Sequence, residues 1–263
     1  MKYVNATILT LALFAGSAFA QTATVQVIHN SPDPDAAVVD IYIGMGTTDP
    51  ALPDVPFRGA TGLVDLPADT ELMIGVAPGN SADSDDVLAW FPVTLPAGSM
   101  TVVMATGVLD PLSVDNPDGI DTGFTLVTSE LMTMASAGNV GVLAYHGSPD
   151  APTVDIVAAG VGPIFSGLPF KQFQGYGEVP EGAYTLQVTP AGDNGTIVAQ
   201  FTADLNGLAG GTAVVFASGF LGARTGEAFG LFAALNDGTV IELPAVPVAN
   251  ELASWGGVKS LYR

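Results

Sequence analysis

Apolar residues along this chain gather into short runs, most of roughly four to eight residues, the length of half-buried strands rather than of helices. The runs end in turn chemistry: Asp118-Gly119, Asn194-Gly195, Asn206-Gly207 and Asp237-Gly238 are dipeptides that adopt the positive φ of tight hairpins. Val, Ile, Thr and Phe dominate the runs, and no helical period persists for three turns. The pattern predicts an all-β protein with many short strands.

The pattern also repeats. Val25-Gln26-Val27-Ile28-His29 leads into Asn30-Ser31-Pro32-Asp33 and then Val38-Val39-Asp40-Ile41-Tyr42. Val142-Leu143-Ala144-Tyr145-His146 leads into Gly147-Ser148-Pro149-Asp150 and then Thr153-Val154-Asp155-Ile156-Val157. The correspondence continues in order, through Pro56-Phe57-Arg58 and Pro169-Phe170-Lys171, to Ala105-Thr106-Gly107 and Ala217-Ser218-Gly219. Collinearity of this extent marks an internal duplication. The copies span 21–137 and 138–245, and 246–263 remains as a C-terminal tail or last strand. About seven strands in about 110 residues is the rhythm of an immunoglobulin-like β-sandwich, so two tandem sandwiches are expected; a five- or six-stranded barrel is the alternative.

The His-x-Ser-Pro-Asp turn followed by a Val-Asp-Ile strand, present as His29 to Asp33 with Val39 to Ile41 and as His146 to Asp150 with Val154 to Ile156, resembles the signature of the domain-of-unknown-function 4397 family. That family occurs in secreted bacterial proteins, often in tandem. The resemblance implies a β-sandwich and a secreted or cell-surface setting, and it carries no established activity. The first copy has two extra residues between turn and strand, and the second has Val157 where the family usually has Tyr.

The first twenty residues break the strand pattern. Lys2, the apolar stretch Ile8 to Phe14 and the Ala18-Phe19-Ala20 ending read as a signal peptide, 1–20, so the mature protein is expected outside the cytoplasm, periplasmic, extracellular or on the cell surface. No later stretch is long and apolar enough to predict a membrane span. With no Cys in 263 residues, a disulfide framework, a lipoprotein anchor and cysteine chemistry are ruled out. Against 26 acidic residues stand 6 basic ones, and this balance argues against nucleic acid, whose phosphates need a basic surface. It suits cations, cationic partners and a salty medium.

The candidate chemistry is sparse. Ser31, Pro32 and Asp33, like Ser148, Pro149 and Asp150, form a strong turn, with Pro presetting φ and Ser and Asp capping nearby N–H groups. His29 and His146 share strand parity with their apolar neighbours and should lean inward, bonding turn backbone or a carboxylate such as Asp40 or Asp155. The reading is structural; a metal site on one His per copy would be under-liganded. A Ser-His-Asp hydrolase needs residues converging in space with an oxyanion hole, and adjacent residues on one turn do not supply that. Two acidic clusters, Asp83-Ser84-Asp85-Asp86 and Asp115 to Asp121 with Asp118 between, read as solvated loops. Weak calcium binding is their sharper alternative, and no other cofactor is implied. Trp90 with Phe91, and Tyr176 with Phe173, are candidates for a sugar-stacking face.

The expectation is therefore an exported, non-enzymatic structural or interaction protein with an unknown protein or glycan partner. The alternative is a calcium-dependent or carbohydrate-binding adhesion module, and a hydrolase ranks last.

Overall fold

A computed structural model describes residues 21–222 and 226–248. The signal-peptide reading and the residues 249–263 of the tail lie outside the described residues. Every described element is a strand or a short 3-10 turn. Among the described residues no helix is long and apolar enough to cross a membrane.

The first repeat contributes β1 (Thr22–Asn30), β2 (Val38–Ile43), β3 (Leu52–Pro56), β4 (Val64–Pro67), β5 (Glu71–Pro78), β6 (Ala89–Thr94), β7 (Met100–Thr106) and β8 (Thr125–Glu130). The second contributes β9 (Asn139–His146), β10 (Val154–Ala158), β11 (Gly162–Leu168), β12 (Phe173–Pro180), β13 (Ala183–Pro190), β14 (Ala199–Asp204), β15 (Thr212–Ser218), β16 (Gly230–Leu235), β17 (Val240–Glu242) and β18 (Ala245–Val246). The sheet orders are β4-β1-β7-β8 and β3-β2-β5-β6 in the first, β12-β9-β15-β16-β17 and β11-β10-β13-β14-β18 in the second. The second repeat thus keeps the order of the first and adds one strand to each sheet.

These are the two β-sandwiches expected. Their strand partition, 1-4-7-8 against 2-3-5-6, differs from the ABED and CFG division of a constant-type immunoglobulin domain, so the immunoglobulin-like subtype has no support from the topology. In each repeat the first strand pairs in parallel with the strand that follows the long crossover, β1 with β7 and β9 with β15.

Three cores result. One lies inside the first sandwich, where Ala23, Val25 and Val103 of the β1/β7 sheet meet Leu72 and its neighbours from the other sheet. Its counterpart in the second sandwich gathers Ala144, Val188, Phe201 and Leu231. The third lies between the repeats: Ile28, Val102 and Met104 pack against Leu143, Tyr145, Val214, Phe216 and Phe232. Because successive side chains point to opposite faces, the strands β1, β7, β9 and β15 supply apolar residues to both sides. They form two inner sheets packed face to face, with an outer sheet beyond each. Burying a strand on both faces demands a near-continuous apolar run, which Met100 to Ala105 and Thr212 to Ala217 provide.

Candidate functional site

The repeated turn follows strand β1 or β9 and lies beneath the surface. His29, Ser31, His146, Ser148 and Asp150 are at most 1% exposed. The ring parity read from the strands holds: each histidine points inward and meets the phenylalanine before the basic residue edge-on, His29 with Phe57 and His146 with Phe170, both at 6.2 Å and 78°. Nε2 of His29 lies 2.7 Å from the Ala36 carbonyl, and Nε2 of His146 lies 3.0 Å from the Pro152 carbonyl. Nδ1 of His146 accepts from the Ser148 N–H at 3.3 Å, so that ring donates through Nε2 in its neutral form. Burial pushes both histidines down, to about 4.

The serines do something the sequence did not disclose. Instead of capping a nearby N–H, Ser31 Oγ donates to the Gly107 carbonyl at 2.6 Å and Ser148 Oγ to the Gly219 carbonyl at 2.8 Å. These glycines lie just past β7 and β15 at φ +90 and +83, where a Cβ would come within 2.4 and 2.2 Å of a backbone carbonyl oxygen. Only glycine lets the chain pass there.

The carboxylates complete the clasp. Asp33 accepts from its local Asp35 N–H at 3.0 Å and from the distant Leu109 N–H at 2.7 Å. Asp150 accepts from the Leu221 and Gly222 N–H groups at 2.7 and 2.8 Å. Neither Asp40 nor Asp155 meets the histidine of its repeat. Asp40 accepts from the Asp54 N–H at 2.8 Å and the Ser81 hydroxyl at 2.6 Å, and Asp155 accepts from the Gly167 and Gly192 N–H groups at 2.6 and 2.9 Å. Asp54 and Gly167 hold left-handed backbone, φ 51 and 64, at the register shifts where β3 and β11 pair. The motif Asp therefore pins a bulge in the neighbouring strand. Pro32 and Pro149 stand between the hydroxyl and the carboxylate and preset the turn.

The two acidic clusters are placed separately. Asp83 caps a 3-10 turn by accepting from the Asp85 N–H at 2.8 Å, and Asp86 accepts from the Ala82 N–H at 2.7 Å. The Asp115 to Asp121 loop docks on the second repeat. Asn116 Nδ2 donates to the Pro149 and Ala151 carbonyls at 3.0 Å, and Asp118 accepts from the Thr153 N–H and hydroxyl at 2.6 and 2.7 Å. Asp121 accepts from the Gly123 N–H and lies 3.4 Å from Lys171 Nζ, contacts that hold its carboxyl below the usual range. Among the described residues no three His, Asp or Glu side chains form a group suited to a metal ion.

The aromatic candidates also separate. Phe173 packs on Tyr145 at 4.4 Å beside the interdomain core, and Tyr176 Oη accepts from the Met132 N–H. Phe91 faces Phe124 at 6.0 Å, while the Trp90 ring lies over Gly75. These four side chains do not line up into one stacking face.

Sequence reasoning missed the interdomain clamp. Arg58 donates to Ser218 Oγ at 3.1 Å and to the Ala228 carbonyl at 2.5 Å, and its guanidinium stacks on Phe57 and Phe232 at 4.7 and 4.2 Å. Lys171 donates to the Asp121 and Gly123 carbonyls, both at 2.7 Å. A signal existed: each basic residue follows Pro-Phe in an otherwise acidic repeat.

No curated protein matches the chain. A family model does match, over the second repeat and its histidine-serine-aspartate clasp. Residues 140–234 fit the family described as Domain of unknown function (DUF4397), the family whose turn signature both repeats of this chain resemble.

Proposed function

We propose that this is an exported, non-enzymatic structural or interaction protein that displays its paired sandwiches at or beyond the cell surface. One observation carries the reading. In both repeats the turn's serines and aspartates and the strand aspartates spend their hydrogen bonds on the chain's own groups, mostly backbone. The Ser31 and Ser148 hydroxyls donate to main-chain carbonyls, and the Asp33, Asp40, Asp150 and Asp155 carboxylates accept from the chain's own N–H and hydroxyl groups. A nucleophile needs a base that takes its proton and room for a reacting carbonyl; the buried Ser31 and Ser148 hydroxyls donate to main-chain carbonyls at 2.6 and 2.8 Å, and the Asp150 carboxylate, 3.5 Å from Ser148 Oγ, is itself held by the Leu221 and Gly222 N–H groups. Export rests on the reading of residues 1–20.

The test is a thermal melt of the mature protein at fixed ionic strength, with calcium and with chelator, followed by the same melt against a glycan panel. An unchanged midpoint with calcium is expected, since the carboxylates serve the fold. A clear rise would move the protein to a calcium-dependent adhesion module through the linkage of binding to stability, and a rise with a glycan would move it to carbohydrate binding. Ester turnover lost in a folded His146→Gln variant would overturn the non-enzymatic reading.

A further inference from the structure

Each sandwich carries a groove between the edge strand of its outer sheet and the loop that follows β7 or β15, and the two grooves correspond. On the second sandwich the groove is 510 Å³ and is walled by Ala199, Ala228 and Phe229, together with Ala245, Val246 and Val248. The last three belong to the chain's own departing segment. It pairs with β14 through Gln200↔Val246 and Phe201↔Ala245, and the Thr202 N–H donates to the Pro244 carbonyl at 2.9 Å.

On the first sandwich the groove is 300 Å³, and Ala89, Gly123 and Phe124 stand where Ala199, Ala228 and Phe229 stand in the second. Among the described residues its order β3-β2-β5-β6 has no strand matching β18. Leu88 and Leu109 on its wall are 58% and 39% exposed. Strand addition is not what this edge takes. Pairing with β5 puts Pro92 where the β13 pairing puts Thr202, and proline lacks the N–H that holds Pro244. An occupant must lay side chains into the groove without extending the sheet.

We propose that residues 249–263 of the same molecule are that occupant, running from the second groove across the interdomain boundary into the first. The chain reaches Val248 inside the second groove. Phe220 on that groove packs with Val108 in one cluster, and Leu109, next in sequence, lines the first groove. Fifteen further residues span up to roughly 50 Å when extended, ample for adjoining sites. The segment carries Leu252, Trp255, Val258 and Leu261 for an apolar groove, and Lys259 and Arg263 for a rim that includes Asp35. Arg58 and Lys171 are already committed to the clamp between the repeats. The inference is independent of export and of any outside partner.

The chain has no cysteine, so an engineered pair reports the contact directly. In the full mature chain, Leu109→Cys is combined in turn with Leu252→Cys, Trp255→Cys, Val258→Cys and Leu261→Cys, and each protein is oxidised. At least one pair should close within a monomer, seen as a faster non-reducing band with unchanged mass and no free thiol. Closure only as a covalent dimer would assign the groove to a second copy and overturn the proposal, as would no closure in any pair. A second readout is Trp255 emission in a Trp90→Phe background, since the chain has two tryptophans. Blue-shifted emission that moves red on Leu88→Asp is expected. A solvated-indole spectrum indifferent to Leu88→Asp would overturn the proposal.

Discussion

Arg58 and Lys171, at equivalent positions of the two repeats, make the same reach in opposite directions. Both hold left-handed backbone, φ 65 and 63. Each donates to main-chain carbonyls in the loop of the other sandwich, Ala228 for Arg58 and Asp121 with Gly123 for Lys171. The contact is that of a two-fold dimer made within one chain. Its ion-pair component is minor: Glu227 and Asp121, each 3.4 Å away, have side chains 59% and 80% exposed, where such pairs contribute little. The charge-assisted bonds to carbonyls carry the clamp. Arg58→Ala and Lys171→Ala should each cost about 2 kcal/mol in a urea melt. Arg58→Lys should recover only part, because ammonium cannot both stack on Phe232 and fork to Ser218 and Ala228. Full stability in Arg58→Ala would show that the clamp is incidental.

Where the pseudo-two-fold brings equivalent turns together, Asn30 faces Gly147. Asn30 Nδ2 donates to the Ala217 carbonyl at 3.0 Å, and a Cβ on Gly147 would lie 2.0 Å from that nitrogen and 2.8 Å from the Ala217 oxygen. Only one of the pair has room for a side chain. Gly147→Ala should therefore destabilise by about 1–3 kcal/mol, and adding Asn30→Gly should return a measurable part of that loss. A double-mutant cycle reads the coupling; strict additivity would contradict the packing.

Asp150 should matter more than Asp33. Asp150 is fully buried and holds two N–H groups across the domain, whereas Asp33 is half-exposed and one of its two bonds is local. Asp150→Ala is expected to cost about 3 kcal/mol and Asp33→Ala about 1 kcal/mol, by the cost of orphaning buried donors against that of losing an exposed cap. Melting midpoints measured at one pH decide the order.

The buried histidines make stability fall on the acid side. Folded values of about 4 against 6.5 when exposed mean that the unfolded chain binds the proton first. Their contribution is intact above pH 6.5, declines as the pH drops, and is fully lost below pH 4, about 3 kcal/mol for each ring. His146→Gln should be less stable at pH 7 yet show a shallower decline between pH 6.5 and 4. Parallel curves for the two proteins would exclude His146 as a source of the slope.

Much of the fold was legible because the relevant physics is local. The alternation and turn dipeptides marked strands, the recurrence of His-x-Ser-Pro-Asp marked the duplication, and strand parity placed His29 and His146 inward. The turn partners were not legible, since Ser31 meets Gly107 and Asp150 meets Leu221 and Gly222, positions tens of residues away. The acidic loop read as solvated is in part a dock, with Asn116 and Asp118 holding the second repeat's turn. A clue to the third core was visible in the near-continuous apolar runs Val102 to Ala105 of β7 and Ala213 to Ala217 of β15, which an exposed outer face would have interrupted with alternating polar residues.

By itself the sequence determined an all-β chain, its duplication, its acidity and the identity of a repeated turn, because each is written in neighbouring residues or in their recurrence. Only the tertiary structure decided that the two sandwiches share a core, that the turn's hydroxyls and carboxylates are consumed by distant backbone, and that the repeats clamp each other through Arg58 and Lys171. Those outcomes depend on which surfaces meet, and an apolar face or an unpaired donor carries no address for its partner until the sheets have packed.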